Sequence, residues 1–450
     1  MGNWENEYIG LMDKENAVQI FTSATAAVQP AQLLQEHLAV NKGSLVIGGR
    51  QLPKYSFNKV YVIGAGKAAA AMAVETEKIL GEYISQGLVV TKYGHSLPVT
   101  RIKIREGGHP VPDENCVEAA AEMLQLLERT TKEDIIICLI SGGASALWCD
   151  VPPGVTLPEV QATFDQLIRS GAAIHEINTV RKHLSGIKGG QLIRHCNNAL
   201  VFSLIISDVP GDDPGIIASG PTVADASDFR EAQAILSKYG LLPSLPQSIR
   251  VHIEKGVQGI VAETPKPGDP LFWNTMNRVI GDNQVALLAA AHKAHALGYH
   301  TLIIPGLITG DAAAAAKALV TAALNYKGEK PVCILQGGET TVQVTGRGMG
   351  GRNQHFALAA LNELNKLPDK KHADNIVILS GGTDGTDGPT EAAGGVVDKE
   401  TLTRALAQQL DIEAYLKDHD SWHFLQQTNS LLVTGPTQTN VMDIMMAIVS

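Results

Sequence analysis

At 450 residues the chain exceeds what one hydrophobic core usually supports, so two domains are expected. Its 36 basic and 46 acidic residues leave a formal net charge of −10, which argues against a broad basic surface for nucleic acid or anionic membrane. With 44% hydrophobic and 18% charged residues the composition is globular, and no apolar run approaches the ~20 residues of a membrane span.

The first residues, MGNWENEYIG, hold neither a basic nor an apolar leader segment, so no secretory signal is expected. Short apolar runs rich in β-branched residues then recur, each closed by glycine or small polar residues. They occupy 60–66, 87–94, 134–143 and 199–209, and later 300–306, 331–339, 375–385 and 430–437. Near-continuous apolarity predicts strands buried on both faces, hence parallel sheets. Alanine- and leucine-rich stretches between them, such as 67–80, 117–129, 283–298 and 311–325, read as helices packed on those sheets. The fold class is therefore α/β, with an N-terminal Rossmann-like parallel-sheet domain and a C-terminal α/β domain. Prolines at 243, 246, 265, 267 and 270 interrupt the rhythm and place the boundary near residue 265, giving domains 1–265 and 266–450. Five widely spaced cysteines without a C-x-x-C pair predict a reduced, cytoplasmic protein without structural zinc.

In open α/β sheets ligands bind beyond the C-terminal ends of the strands, so the glycine clusters found there should converge on one crevice. The first cluster is GAGKAAAAMA at 64–73, where Gly64, Gly66 and Ala69 fit G-x-G-x-x-A between a strand and a helix. That is the context of a dinucleotide fingerprint, although a tight strand-to-helix turn reads the same way. Two details oppose a dehydrogenase: Thr91-Lys92 stands where an acidic ribose partner would be expected, and Lys67 places a positive charge inside the turn. No Walker A motif occurs. In SGGASAL, Ser141, Gly142, Gly143 and Ser145 form either a phosphate nest or a helix cap. The segment 177–192 gathers Arg181, Lys182, His183 and Lys188, a local basic surplus suited to an anionic ligand or to a solvated face.

Asp208 closes the next strand, with Asp212 and Asp213 behind it, offering oxygen ligands for Mg2+ or turn chemistry in the case of Asp213. Further on, GGETTVQVTGRGMGGRNQ at 337–354 delivers Arg352 and Asn353 beside the start of a helix. Crowded glycines turn backbone N–H groups toward an anion, the helix end adds positive dipole character, and a guanidinium suits phosphate or carboxylate. A hairpin tip is the alternative. Asp384 and Asp387 ride on SGGTDGTDGPT, and two carboxylates without histidine suit Mg2+ or hydroxyl binding better than zinc. Lysine, arginine, glycine nests and oxygen-only ligands match phosphoryl transfer, which needs mainly positioning and charge stabilisation.

The motifs GAGKAAAAM, GGHPVPDE, ISGGASAL, NTVRKHLSGIKGG, SDVPGDDP, ASGPT, GGETTVQVTGRGMGGRNQ, SGGTDGTDGPT, AGGVVD and LLVTGPTQTNV follow one another across about residues 10–445. In this the chain resembles the ATP-dependent glycerate 2-kinases that carry a C-terminal MOFRL domain. The resemblance implies transfer of the ATP γ-phosphoryl to the 2-hydroxyl of D-glycerate, with Mg2+ assistance, in a cleft between two α/β domains. It maps the family's important lysine onto Lys67 and its important arginine onto Arg352, the expected catalytic pair. Gly64, Gly66, Ser141, Gly142, Gly143, Ser145, Arg181, Lys188 and Asn353 are the expected substrate- and phosphate-binding residues, and Asp208 and Asp384 the metal ligands. D-glycerate and ATP are the expected partners, without nucleic acid or membrane; homo-oligomerisation stays open. Gln438 departs from the family's TGPTGTN. Two rival activities draw on the same residues: an NAD(P)H-dependent hydroxypyruvate reductase using Gly64, Gly66 and Ala69, and a non-catalytic sensor of sugar acids or sugar phosphates using the SGGAS nest.

Overall fold

Runs of β-branched residues become strands because their side chains pack well on a pleated surface covered on both sides. The computed structural model describes residues 2–368 and 374–450, with side chains from residue 12 onward. Among the described residues three sheets form. A small antiparallel meander joins β1 (Leu38–Asn41), β2 (Ser44–Ile47) and β3 (Arg50–Pro53). The second sheet contains β4 (Val60–Ala65), β5 (Ile84–Lys92), β6 (Ile102–Gly107), β7 (Ile135–Ile140), β8 (Leu200–Ile206) and β9 (Thr275–Gly281). Its strand order is β6-β5-β4-β7-β8-β9, and the pairs from β4 through β8 run parallel. Every residue of β4 and β7 is buried. This is the doubly wound order, in which the chain reverses direction across the sheet between β4 and β7 and leaves a crevice at that point.

The third sheet is made of β10 (His300–Ile303), β11 (Ile308–Asp311), β12 (Val332–Thr341), β13 (Ile376–Gly382), β14 (Gly394–Val397), β15 (Leu431–Leu432) and β16 (Asp443–Val449). Here the expectation of parallel pairing holds only in part: β10 and β11 run parallel to β12, but the rest of the sheet does not. β16 lies between β12 and β13 and is antiparallel to both, and β13 pairs antiparallel with β14. The apolar strands reflect burial, not direction: the helix Gly2–Ala27 packs with Asn283–Ala296, the helix Ala312–Asn325 packs with Arg352–Asn365, and these pairs cover the sheet.

The chain divides into two compact units. Pro30–Ile280 holds the meander and the six-stranded sheet, so residues 266–280 stay with that sheet. Gly281–Ser450 joins the residues up to Gln29 around the seven-stranded sheet. In the N-terminal helix Ala17, Ile20, Phe21 and Ala24 are fully buried. The ring of Phe21 lies where a Cβ on Gly381 would come within 2.7 Å of it, so glycine in β13 makes room for this helix. All five cysteines are free and buried. No helix among the described residues is long and apolar enough to cross a membrane.

Candidate active site

Because β4 and β7 are neighbours at the reversal point, the turns that leave them touch. A Cβ on Gly64 would sit 2.5 Å from Leu139 O, and one on Gly66 would sit 2.1 Å from Ser141 Oγ, so only glycine allows this approach. Lys67 N donates to Gly142 O (2.8 Å) and Ala68 N donates to Ser141 Oγ (3.0 Å). Ser141 thus caps the helix Ala69–Leu80 from the neighbouring turn, and backbone amides that would face a pyrophosphate are already bonded within the protein. Across the same turn, a Cβ on Gly142 would overlap Asp208 Oδ2 at 1.8 Å, which shows how closely this carboxylate lies on the glycine. Gly143 has φ +86°, and a Cβ there would meet His109 Nε2 at 2.8 Å and Lys67 Cγ at 3.4 Å. Lys67, His109 and Asp208 therefore gather on one glycine turn. Burial, together with the positive charges of Lys67 and Lys92, pulls the His109 pKa down to about 4, so the imidazole is neutral at neutral pH.

A cavity of about 610 Å³ opens beside this turn, with His109, Gly143, Ser145, Arg181, Lys188 and Asp208 on its walls. Ser145 Oγ lies 3.0 Å from Ser219 Oγ, which donates to Asn178 Oδ1 (2.9 Å), and Arg181 Nη1 donates to the same oxygen (3.0 Å). The Arg181 guanidinium rests over the Phe164 ring at 5.0 Å. Lys188 is buried, donates to Trp148 O (2.6 Å) and stands 4.0 Å from Asp150. Burial lowers the pKa of both cations. Lys182 turns instead to Asp225 (3.2 Å), and His183 bridges Thr179 O and Glu263, as a structural histidine does. Asp213 accepts from Gly215 N, which is turn chemistry. Thus Lys67, Gly64, Gly66, Ser141, Gly142, Gly143, Ser145, Arg181, Lys188 and Asp208 occupy one region of the unit Pro30–Ile280.

The other predicted residues stand in the second unit. Arg352 opens the helix Arg352–Asn365 and grips Asp443 bidentately, through Nε to Oδ2 at 2.6 Å and Nη2 to Oδ1 at 2.9 Å. Its Nη1 lies 2.9 Å from Glu339, and the side chain keeps about one-third of its surface exposed (34%). Asp443 is wholly buried at the head of β16, and burial pushes its pKa up against the pull of Arg352. Burial alone would lower the Arg352 pKa, but Asp443 and Glu339 raise it. The helix end offered to an anion by the sequence is held by Asp387, which accepts from Asn353 N (3.1 Å), Asn353 Nδ2 (3.3 Å) and Gln354 N (2.8 Å). Burial raises Asp387 to about 6. Asn353 also receives Ser380 Oγ at 2.6 Å, and Asp384 accepts from Thr386 N and Oγ1.

Glycines of the 337–354 loop serve close packing within the protein. A Cβ on Gly346 would fall 2.1 Å from Asp418 O, on Gly348 2.3 Å from Asp420 Cβ, and on Gly351 2.3 Å from Asp387 Cγ. Three polar groups were not singled out by sequence reasoning: His109, Asn178 and Asp443. The signals for them were His109 within GGHPVPDE, Asn178 at the head of NTVRKHLSGIKGG and a lone carboxylate heading the apolar run DIMMAIV.

Positioning phosphoryl groups with lysine, arginine and glycine turns on a doubly wound sheet is the chemistry of α/β phosphotransferases. Residues 16–254 match the family described as a domain of unknown function (DUF4147), and residues 332–443 match the MOFRL family. The chain is 40% identical over 443 residues to the glycerate 2-kinase of Pyrococcus horikoshii, covering 97% of each. A crystal structure of glycerate kinase from Thermotoga maritima superposes with a TM-score of 0.84 at 37% identity, covering 97% of this chain and 99% of that one. A putative hydroxypyruvate reductase of Agrobacterium vitis is also 40% identical, over 87% of this chain and 88% of its own. The chain belongs to the glycerate kinase family built from these two regions, as its ordered motifs suggested.

Proposed function

We propose that the protein transfers the γ-phosphoryl of ATP to the 2-hydroxyl of D-glycerate, giving 2-phospho-D-glycerate and ADP. The observation that carries this reading is the gathering of Lys67, the Ser141–Gly143 turn and Asp208 at the reversal point of the sheet. Lys67 positions the carboxylate of glycerate or the transferred phosphoryl, while Arg181 and Lys188 neutralise anionic oxygens beside it and Ser145 offers them a hydroxyl donor. Arg352, with its plane fixed by Asp443, stabilises charge that develops on the phosphoryl oxygens.

Mg2+ requires only one or two carboxylates besides phosphate and water. Asp208, set against Gly142, and Asp384, on the loop after β13, are oxygen donors that fit this demand, and we assign them to it. When bound, the ion supplies neutralisation of charge on the phosphate chain. A cytoplasmic setting accords with five buried, reduced cysteines. The reductase reading is weaker, because Lys67 N and Ala68 N, which a pyrophosphate would engage, already bond Gly142 O and Ser141 Oγ.

The test is ADP release from Mg-ATP dependent on D-glycerate, with the product identified by phosphorus NMR. NADPH consumption with hydroxypyruvate and no ADP would overturn the kinase reading, and a 3-phosphorylated product would overturn the choice of hydroxyl.

A further inference from the structure

The cavity beside the glycine turn is larger and more apolar than a three-carbon hydroxy acid requires. At about 610 Å³ it falls within the ~300–1,000 Å³ typical of pockets for much larger ligands. Its outer walls are Val111 and Pro112 on the loop after β6, Phe164 and Ile168 on the helix Leu157–Arg169, and Ile174 on the helix Ile174–Lys182. Val111, Ile168 and Ile174 are 62%, 62% and 58% exposed, so large aliphatic side chains stand open to water around the mouth of a cavity. Gln161 donates to Pro112 O at 2.7 Å and ties one wall to the other, so the groove is pre-formed.

Its inner end has the opposite character. Arg181 contacts Asn178 and the Phe164 ring, and no carboxylate among the described residues pairs with it. Lys188 stands 4.0 Å from Asp150, whose own oxygens accept from Ser185 and Gly186. Cations at the floor and aliphatic walls at the mouth complement a ligand that is anionic at one end and flat and apolar at the other. Glycerate has only the first property, whereas a nucleotide has both.

We infer that this groove seats the base and ribose of the nucleotide substrate, with the phosphate chain directed toward Arg181, Lys188 and the turn at 141–145. The inference rests on the kinase reading but fixes where within Pro30–Ile280 the nucleotide lies. Burying one aliphatic side chain against a base is worth enough to shift affinity measurably.

The experiment is calorimetric titration of the full chain with ADP and, separately, with inorganic tripolyphosphate, which has the anionic end and no base. The double variant Ile168→Ser/Ile174→Ser removes exposed aliphatic surface without adding charge and should bind ADP about tenfold more weakly. Its affinity for tripolyphosphate should be unchanged, KM for ATP should rise and KM for D-glycerate should not. Ile260→Ser, equally exposed but outside the groove, should match wild type. Photolabelling of the wild-type chain with an azido-ADP should mark the peptide spanning 161–174, which reads the site without any substitution. Unchanged ADP affinity in the double variant, a KM effect falling on glycerate, or labelling confined elsewhere would each overturn the groove assignment while leaving the kinase standing. A wild-type chain that binds no ADP would remove both.

Discussion

Arg352 shares its guanidinium between a wholly buried carboxylate and a partly exposed one, and the two differ in what they fix. The fork onto Asp443 sets the plane of the group, since bidentate geometry admits one orientation. Lys67→Ala and Arg352→Ala should each lower kcat about a thousandfold or more while the thermal melt stays cooperative. Near-normal turnover in either variant would take that residue out of the mechanism. Asp443→Asn should lower kcat about a hundredfold through misorientation alone, with KM for both substrates little changed. An equal rise in KM would show instead that Asp443 shapes binding. Asp387 gives a pH signature. Burial lifts its folded pKa to about 6 from an ordinary value of about 4, so the folded state binds the extra proton between those values. Its contribution to stability is present below about pH 4 and is lost as pH rises through about 6. Urea midpoints of wild type and Asp387→Asn should therefore move apart in that direction between pH 4 and 7, wild type losing more on the alkaline side.

At the scale of single elements, the turn after β15 holds a side chain, Gln438, where the resemblance to the family motif leads one to expect glycine. Gln438 has φ +62°, a left-handed conformation that L side chains adopt at a cost, and its Oε1 is buried without a hydrogen-bond partner among the described residues. Gln438→Gly should raise stability by about 0.5–1 kcal/mol, read from denaturant melts, without altering turnover. Element patterns also decide what was legible in advance. β4, β7, β8, β12 and β13 could be read directly, because a continuous apolar run closed by glycine or small polar residues fits little besides a buried strand. The run at 430–437 yields only the two-residue β15, since Thr434-Gly435-Pro436 breaks it. β16 went unread: DIMMAIV, with its methionines and alanine, fits a helix as well as a strand, and its place between β12 and β13 is set by distant pairing. The site divides in the same way. Ser141, Gly142 and Lys67 announce themselves through strand-to-turn chemistry within a few residues. Asp443 could not, because it meets Arg352 across 91 residues of sequence.

For the molecule as a whole, the helix Gly2–Ala27 is the first segment in sequence yet packs within the unit that contains Gly281–Ser450. Asp13 accepts from the hydroxyls of Tyr299 and Ser450, and Lys14 lies 3.7 Å from Asp398, so polar contacts hold the helix in addition to its apolar face. Phe21→Ala should destabilise that unit by about 3–5 kcal/mol through the cavity left against β13. Hydrogen exchange should quicken in β13, β14 and β16 and stay slow in β4, β7 and β8. Uniform acceleration would mean the two units unfold as one.

That helix also sets a schedule for synthesis. It leaves the ribosome before Pro30–Ile280 and must wait, apolar face uncovered, until the strands that receive it have been made. At about 5–20 residues per second the interval is roughly tens of seconds, long enough for the six-stranded sheet to fold in the meantime. Phe21 can therefore meet Gly381 only after β13 has been made.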